Sequence, residues 1–149
     1  VKLAKLLFFS DFEAMRALGR PITALKYYKL PQGPVPTRAK AIEKEMTRAG
    51  KIVHEERRLG RTKQRRVIAK VEPDLSVFGT EELAVFQRVL NLLRDENATS
   101  VSDLSHSLIG WQAAHDNEEI PLITAIINTR QPTAKEREYA AKFAANSSR

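Results

Sequence analysis

The sequence predicts an α+β, mainly α fold: a helical domain with a small antiparallel sheet and a basic β-hairpin. Three observations carry this. Apolar residues recur at helical spacing in several separate stretches, and the segment from Ile22 into the Pro31, Gly33, Pro34, Pro36 cluster has the composition of a strand entering a turn. Residues 51–72 set two arms around a central glycine. At 149 residues, one domain is expected, burying about 70% of the surface its unfolded chain exposes. No internal repeat, low-complexity tract or long linker divides it.

In chain order, residues 2–18 read as a helix with Leu3, Leu6, Leu7, Met15 and Leu18 as its apolar stripe and Gly19 as its stop. A short strand through Leu25, Tyr27 and Tyr28 then runs into the proline turn. Thr37 is the expected N-cap of a second helix through Ile42 and Met46, ended by Gly50. The hairpin follows, from Lys51–His54 to Arg65–Val71 around Leu59-Gly60-Arg61. This order matches a winged-helix-like arrangement in the N-terminal half, with the hairpin as wing. After Pro73, Thr80 opens a helix with Glu81 and Glu82 in its first turn, where the helix dipole favours negative charge. Leu83, Phe86, Leu90 and Leu93 mark its buried face, widened by Val85, Val89 and Leu92, at the expected centre of the core. Short helices over residues 100–107 and from a Ser107 cap through Trp111 and Ala114 come next, then an apolar stretch from Ile120 to Ile127. A capping-box pattern, Thr133-Ala-Lys-Glu136, opens a terminal helix with Tyr139 and Phe143 on its apolar side.

Composition excludes several classes of chemistry. With no cysteine there are no disulfides, thiolate nucleophiles or cysteine zinc sites, which fits a reducing cytoplasm. The apolar run from Leu6 to Phe9 is interrupted upstream by Lys2 and Lys5 and has no cleavage site, and no stretch approaches a membrane span. His54, His106 and His115 lack metal-ligand spacing, no serine sits in a nucleophile elbow, and the glycines form no phosphate loop. The adjacent carboxylates Glu55-Glu56 and Glu118-Glu119 point apart as sequence neighbours. No catalytic residue, metal or cofactor is expected, and the chain reads as a binding protein, not an enzyme.

The net charge is +7, and residues 51–72 hold eight basic residues against three acidic ones. So local an excess points to an acidic partner, either phosphates or protein carboxylates. Five of those cations are arginines, whose forked donors suit bidentate contact with either anion. A winged-helix DNA reader would also need a polar recognition helix. Residues 37–49 offer Arg38, Lys40, Lys44 and Arg48, balanced by Glu43 and Glu45.

Three motifs occur in a fixed order: Lys5-Leu-Leu-Phe-Phe-Ser-Asp11, then Leu25-Lys-Tyr-Tyr-Lys-Leu-Pro-Gln-Gly-Pro-Val-Pro36, then Asp103-Leu-Ser-His-Ser-Leu-Ile-Gly-Trp111 followed by Glu119-Ile-Pro121. Together they resemble the SocA-like antitoxins, or Panacea domain family, over about residues 3–127, with Gly33-Pro34-Val35-Pro36 the most specific part. The resemblance implies a bacterial or phage toxin–antitoxin module whose antitoxin directly binds and neutralises the protein toxin encoded beside it. Members pair with unrelated toxins, so it does not name the partner. The founding member acts as an adaptor that hands its toxin to a AAA+ protease, and some relatives add a DNA-binding domain, for which no stretch is left here. A cytoplasmic hetero-oligomer or homo-oligomer is therefore expected, with nucleic acid as the rival partner and no membrane.

Under this resemblance, the expected toxin-binding residues are Tyr27, Tyr28, Arg57, Arg58, Arg61, Arg65 and Arg66. Arginine and tyrosine anchor protein interfaces, although one of the two adjacent tyrosines must face the core if their segment is a strand. The motif positions Asp11, Gly33, Pro34, His106 and Trp111 are expected to hold the fold.

Overall fold

Helix α1, Lys2–Leu18, is the element on which most of the others pack in this computed structural model, which describes residues 2–60, 62–127 and 134–135. Its buried side is not the leucine stripe. Leu3 is 49% exposed, whereas Lys5, Phe8, Phe9 and Phe12, at positions i, i+3, i+4 and i+7, are covered. Three phenylalanines bring more apolar area than the leucines and so take the centre. Leu6, Leu7 and Met15 pack at its edge. Phe8 meets Phe9 and Tyr27 edge-on, with ring centres 5.5 and 5.2 Å away, the geometry that opposes the negative face of one ring to the positive rim of another. Gly19, at φ +73°, ends the helix as expected.

Strand β1, Tyr27–Leu30, pairs antiparallel with β2, Gly33–Pro36. The proline cluster expected as a turn is thus mostly strand, and only Pro31 and Gln32 turn. A proline is tolerated there because β2 has a single strand neighbour among the described residues, so a missing N–H on its other side leaves no ladder bond unmade. On the far side of β1, the Ile120 amide donates to the Tyr27 carbonyl at 2.7 Å, and Lys29 exchanges bonds with residues 117 and 118. The backbone of β1 is therefore satisfied along both edges.

Helix α2, Ala39–Arg48, begins after Arg38 rather than at a Thr37 cap. The Thr37 amide instead donates to the Lys26 carbonyl at 3.0 Å and closes the foot of the β1–β2 pair. α2 buries none of its residues. Gly50, at φ +67°, ends this segment as expected. Strands β3, Ile52–Leu59, and β4, Thr62–Ala69, form the hairpin, in register from Ile52 opposite Ala69 to Leu59 opposite Thr62. Its arms are longer than the alternation of apolar residues indicated, because charged cross-strand pairs extend the ladder. A winged-helix arrangement would set β1 beside this hairpin. Among the described residues the two sheets are separate.

Helix α3, Thr80–Leu93, buries Val85, Val89 and Leu93, spaced four apart, together with Glu82. Phe86 and Leu92, expected on the core side, are 37% and 59% exposed. The face is rotated because Glu82 is drawn inward: it accepts the Gly79 amide at 2.9 Å and the Arg20 guanidinium. Helix α4, Ala98–His106, is capped by Asn97, whose side-chain oxygen accepts the amides of Thr99 and Ser100. Helix α5, Ile109–Ala113, starts from Leu108, not from a Ser107 cap, since the Ser107 hydroxyl donates back to the Leu104 carbonyl. A 3₁₀ turn spans Leu122–Ile126. The terminal helix expected from Thr133, with Tyr139 and Phe143, lies outside the described residues except for Ala134 and Lys135, which are helical.

Asp11, wholly buried on α1, joins these elements. One carboxylate oxygen accepts the amides of Ile22 and Thr23 at 2.8 and 2.7 Å, and the other accepts the hydroxyls of Tyr27, at 2.7 Å, and Thr23. Burial, then the neighbouring Asp11 charge, pushes the Tyr27 phenol far above its usual range, so it stays a donor. Removing the acceptor strands several buried donors. Asp11→Ala should lower the unfolding free energy by about 3 kcal/mol, and Tyr27→Phe by only about 1.5 kcal/mol. Urea denaturation of the three proteins checks the order, and equal losses would contradict it.

Candidate functional site

The motif residues converge where α1, β2 and α4 meet. Lys5 is only 1% exposed, and its ammonium donates to the Pro34 carbonyl at 3.4 Å. Gly33, at φ +99°, lies against it. A Cβ at residue 33 would come 2.0 Å from Lys5 Nζ and 2.7 Å from Ser105 Oγ, so only glycine suits both the backbone angle and the space. Pro34 is fully buried beside it. Burial lowers the Lys5 pKa from 10.5 to about 8.

A second cluster lies along β1. The rings of His106 and Trp111 stack at 4.3 Å, and Lys29 Nζ stands 5.0 Å above the Trp111 ring while donating to the Ala114 carbonyl. His106 Nε2 is buried and meets no partner among the described residues. Tyr27 is the core-facing member of the tyrosine pair, at 0% exposure. That leaves Tyr28, half-buried and bridged to Glu119, as the tyrosine near the surface. Beside it, Lys26 pairs with Glu119 at 2.8 Å, which raises the lysine pKa.

The hairpin register divides the candidate arginines between two faces, since directly opposed residues share a side. Arg58 and Arg65 fall on the face that meets α2, where Arg65 reaches Glu43 at 3.3 Å and His54 reaches the same oxygen at 3.1 Å. Arg57 and Arg66 lie on the other face, opposite Gln64 and Glu55. All four are exposed. Arg61 lies outside the described residues.

Two concave features are lined mostly by residues outside the expected site. One is a cavity of about 300 Å³ lined by Leu7, Ile22, Pro73, Leu75, Phe78 and Phe86, with the Ser10 hydroxyl buried beside them and without a partner among the described residues. The signal was the run Leu75-Ser-Val-Phe78, apolar residues in a segment too short to form an element of its own. The other, between α2 and the hairpin, is lined by Lys40, Glu43, Lys44, Arg48, His54 and Arg65. No three His, Asp or Glu side chains converge on a metal-binding arrangement among the described residues, and no described helix is long and apolar enough to cross a membrane.

These motif contacts coincide with a family model described as antitoxin SocA-like, Panacea domain, which matches residues 3–112. The chain belongs to that family. The matched region ends just beyond Trp111, so the Panacea domain covers the Lys5–Gly33 junction, the hairpin and the His106–Trp111 stack, while Glu119-Ile120-Pro121 lies past it. No curated protein and no solved structure matches the chain.

The buried lysine gives this Panacea domain a pH signature. Between about pH 8 and 10.5 the folded state releases the Lys5 proton while the unfolded chain keeps it, so the folded protein gains stability as pH rises through that window. The raised Tyr27 pKa acts with the opposite sign from about pH 10 upward, where only the unfolded phenol ionises. Urea midpoints of wild type and Lys5→Met at pH 7.5, 8.5 and 9.5 should therefore diverge, the wild type gaining relative to the variant. Parallel profiles would show that Lys5 stays charged in the fold.

Proposed function

We propose that this protein is the antitoxin of a toxin–antitoxin pair and neutralises its toxin by direct binding. The family match over residues 3–112 carries the reading. Two surface features support it. The first is the arginine-bearing hairpin, which suits carboxylates or a substrate-phosphate-binding region's acidic surround on the toxin, the forked guanidinium providing paired hydrogen bonds. The second is the apolar cavity, rimmed by Leu75 and Phe78, which are 52% and 40% exposed. Protein interfaces place most of their binding energy in such desolvated pockets filled by a large side chain. In this reading Arg57 and Arg66 steer and orient the toxin, and an apolar side chain of the toxin enters the cavity. Tyr28 contributes from the β1 edge. Neutralisation at low cellular copy number calls for nanomolar affinity, about −12 kcal/mol.

The test is co-expression, in the cytoplasm of a bacterial host, with the reading frame adjacent to this gene. That frame should arrest growth alone, be tolerated alongside this protein, and co-purify with it in a fixed ratio. Phe78→Ala should weaken the complex about 30-fold or more, as expected for a loss of about 2 kcal/mol at an interface anchor. The pair Arg57→Glu and Arg66→Glu should slow association most strongly at low salt. Binding and rescue left intact by both changes would remove these surfaces from the interface. A toxin that is degraded faster in the presence of this protein, with no stable complex, would replace neutralisation by delivery to a protease.

A further inference from the structure

The cleft between α2 and the hairpin has no part in that interface, and its chemistry differs. α2 carries Lys40, Lys44 and Arg48 at every fourth position, so they stand in a row about 6 Å apart along the helix axis. Like charges at this spacing weaken a helix. The helix dipole favours Arg48 in the last turn but not Lys40 or Lys44. Among the described residues no carboxylate lies within ion-pair distance of any of the three. Across from them, Arg65 of β4 and His54 of β3 form the other wall of a cleft of about 560 Å³. Glu43, the acidic residue of the lining, is engaged by both His54 and Arg65. It holds Arg65 in place, and its charge is offset at the rim.

Four cations converge here on an open, solvated cleft. The lining contains no phenylalanine, tyrosine or tryptophan on which a base could stack, the device by which single strands are held, and its one imidazole, His54, is engaged by Glu43. Both residue types bind phosphate, lysine as a point charge and arginine as a fork, and their row along α2 suits a line of regularly spaced anions. We infer that this cleft binds the phosphate backbone of duplex DNA, without reading its bases. Such binding would be electrostatic and sequence-independent, with phosphates replacing the counterions that now neutralise the cleft.

The experiment uses the full chain without any toxin, so its outcome is independent of the antitoxin reading. Anisotropy of labelled duplexes of two unrelated sequences is followed over a salt series. Three phosphates neutralised by Lys40, Lys44 and Arg48 give a slope of log K against log salt of about −2.7. The double variant Lys44→Gln, Arg48→Gln changes exposed side chains on a helix that buries nothing, and circular dichroism checks that it folds. Its slope should fall to about −0.9, while Arg57→Gln with Arg66→Gln on the other hairpin face should leave the wild-type slope. Equal binding of the two sequences supports backbone contact. No binding at low salt, an unchanged slope in the α2 variant, or tighter binding of a single strand or of polyglutamate would overturn the inference.

Discussion

A carboxylate with 0% exposure is held at Asp11, and the arrangement of α1 against the first sheet depends on it. Burying an ionised group is unfavourable by several kcal/mol unless its lone pairs are filled. Here four donors fill them, two from the backbone that follows α1 and two from the side chains of Thr23 and Tyr27. The geometry works in both directions. The charge is stable only if residues 22–27 wrap closely around the helix, and that wrapping brings Tyr27 beneath Phe8 and sets β1 in place. Once β1 is fixed, β2 and residues 117–120 pair with its two edges, and α4 closes over Gly33.

The same logic explains why a second buried charge is tolerated nearby. Among the described residues Lys5 has one carbonyl partner, at 3.4 Å, a weaker compensation than that of Asp11, and burial depresses its pKa accordingly. Its contribution lies in shape as well as charge: its stem extends the apolar face of α1, and its end fills the space that a Cβ on residue 33 would need. Lys5, Gly33 and Ser105 thus form a three-way fit between α1, β2 and α4.

Much of the fold was legible in the sequence because punctuation is local. Gly19 and Gly50 have positive φ at the ends of their helical segments, and the two-armed basic hairpin is visible from its alternation and central glycine. What could not be read was which polar residues go inside. Lys5, Asp11 and Glu82 look like surface residues in any periodicity count, yet all three are buried, and each rotates the apparent apolar face of its helix. Their burial is decided by partners distant in sequence, such as Arg20 for Glu82 and the Pro34 carbonyl for Lys5. The motif residues could be named without geometry, but their contacts could not. Tyr27 and Tyr28 are chemically alike, and only strand pairing separates the core residue from the surface one. The arginine cluster looked like one patch in sequence and is divided between two faces by the period of the strand.

That division bears on how a small hairpin can be both stable and charged. A two-stranded ribbon is marginal in water, and this one is joined to the rest chiefly through α2. Near its base, opposite charges face each other, Glu55 with Arg66 and Glu56 with Arg65, and such pairs stabilise a ladder by a few tenths of a kcal/mol or more. Toward the tip the compensation ends. Arg58 is directly opposite Lys63, a repulsive pairing that Lys63 relieves only by leaning toward Glu56 at 3.6 Å. Arg57 faces neutral Gln64. A ribbon selected for stability alone would continue the alternation of sign to its end. Positive charge is instead left unmatched where the hairpin reaches farthest along its strands, so the ladder is weakest toward its tip.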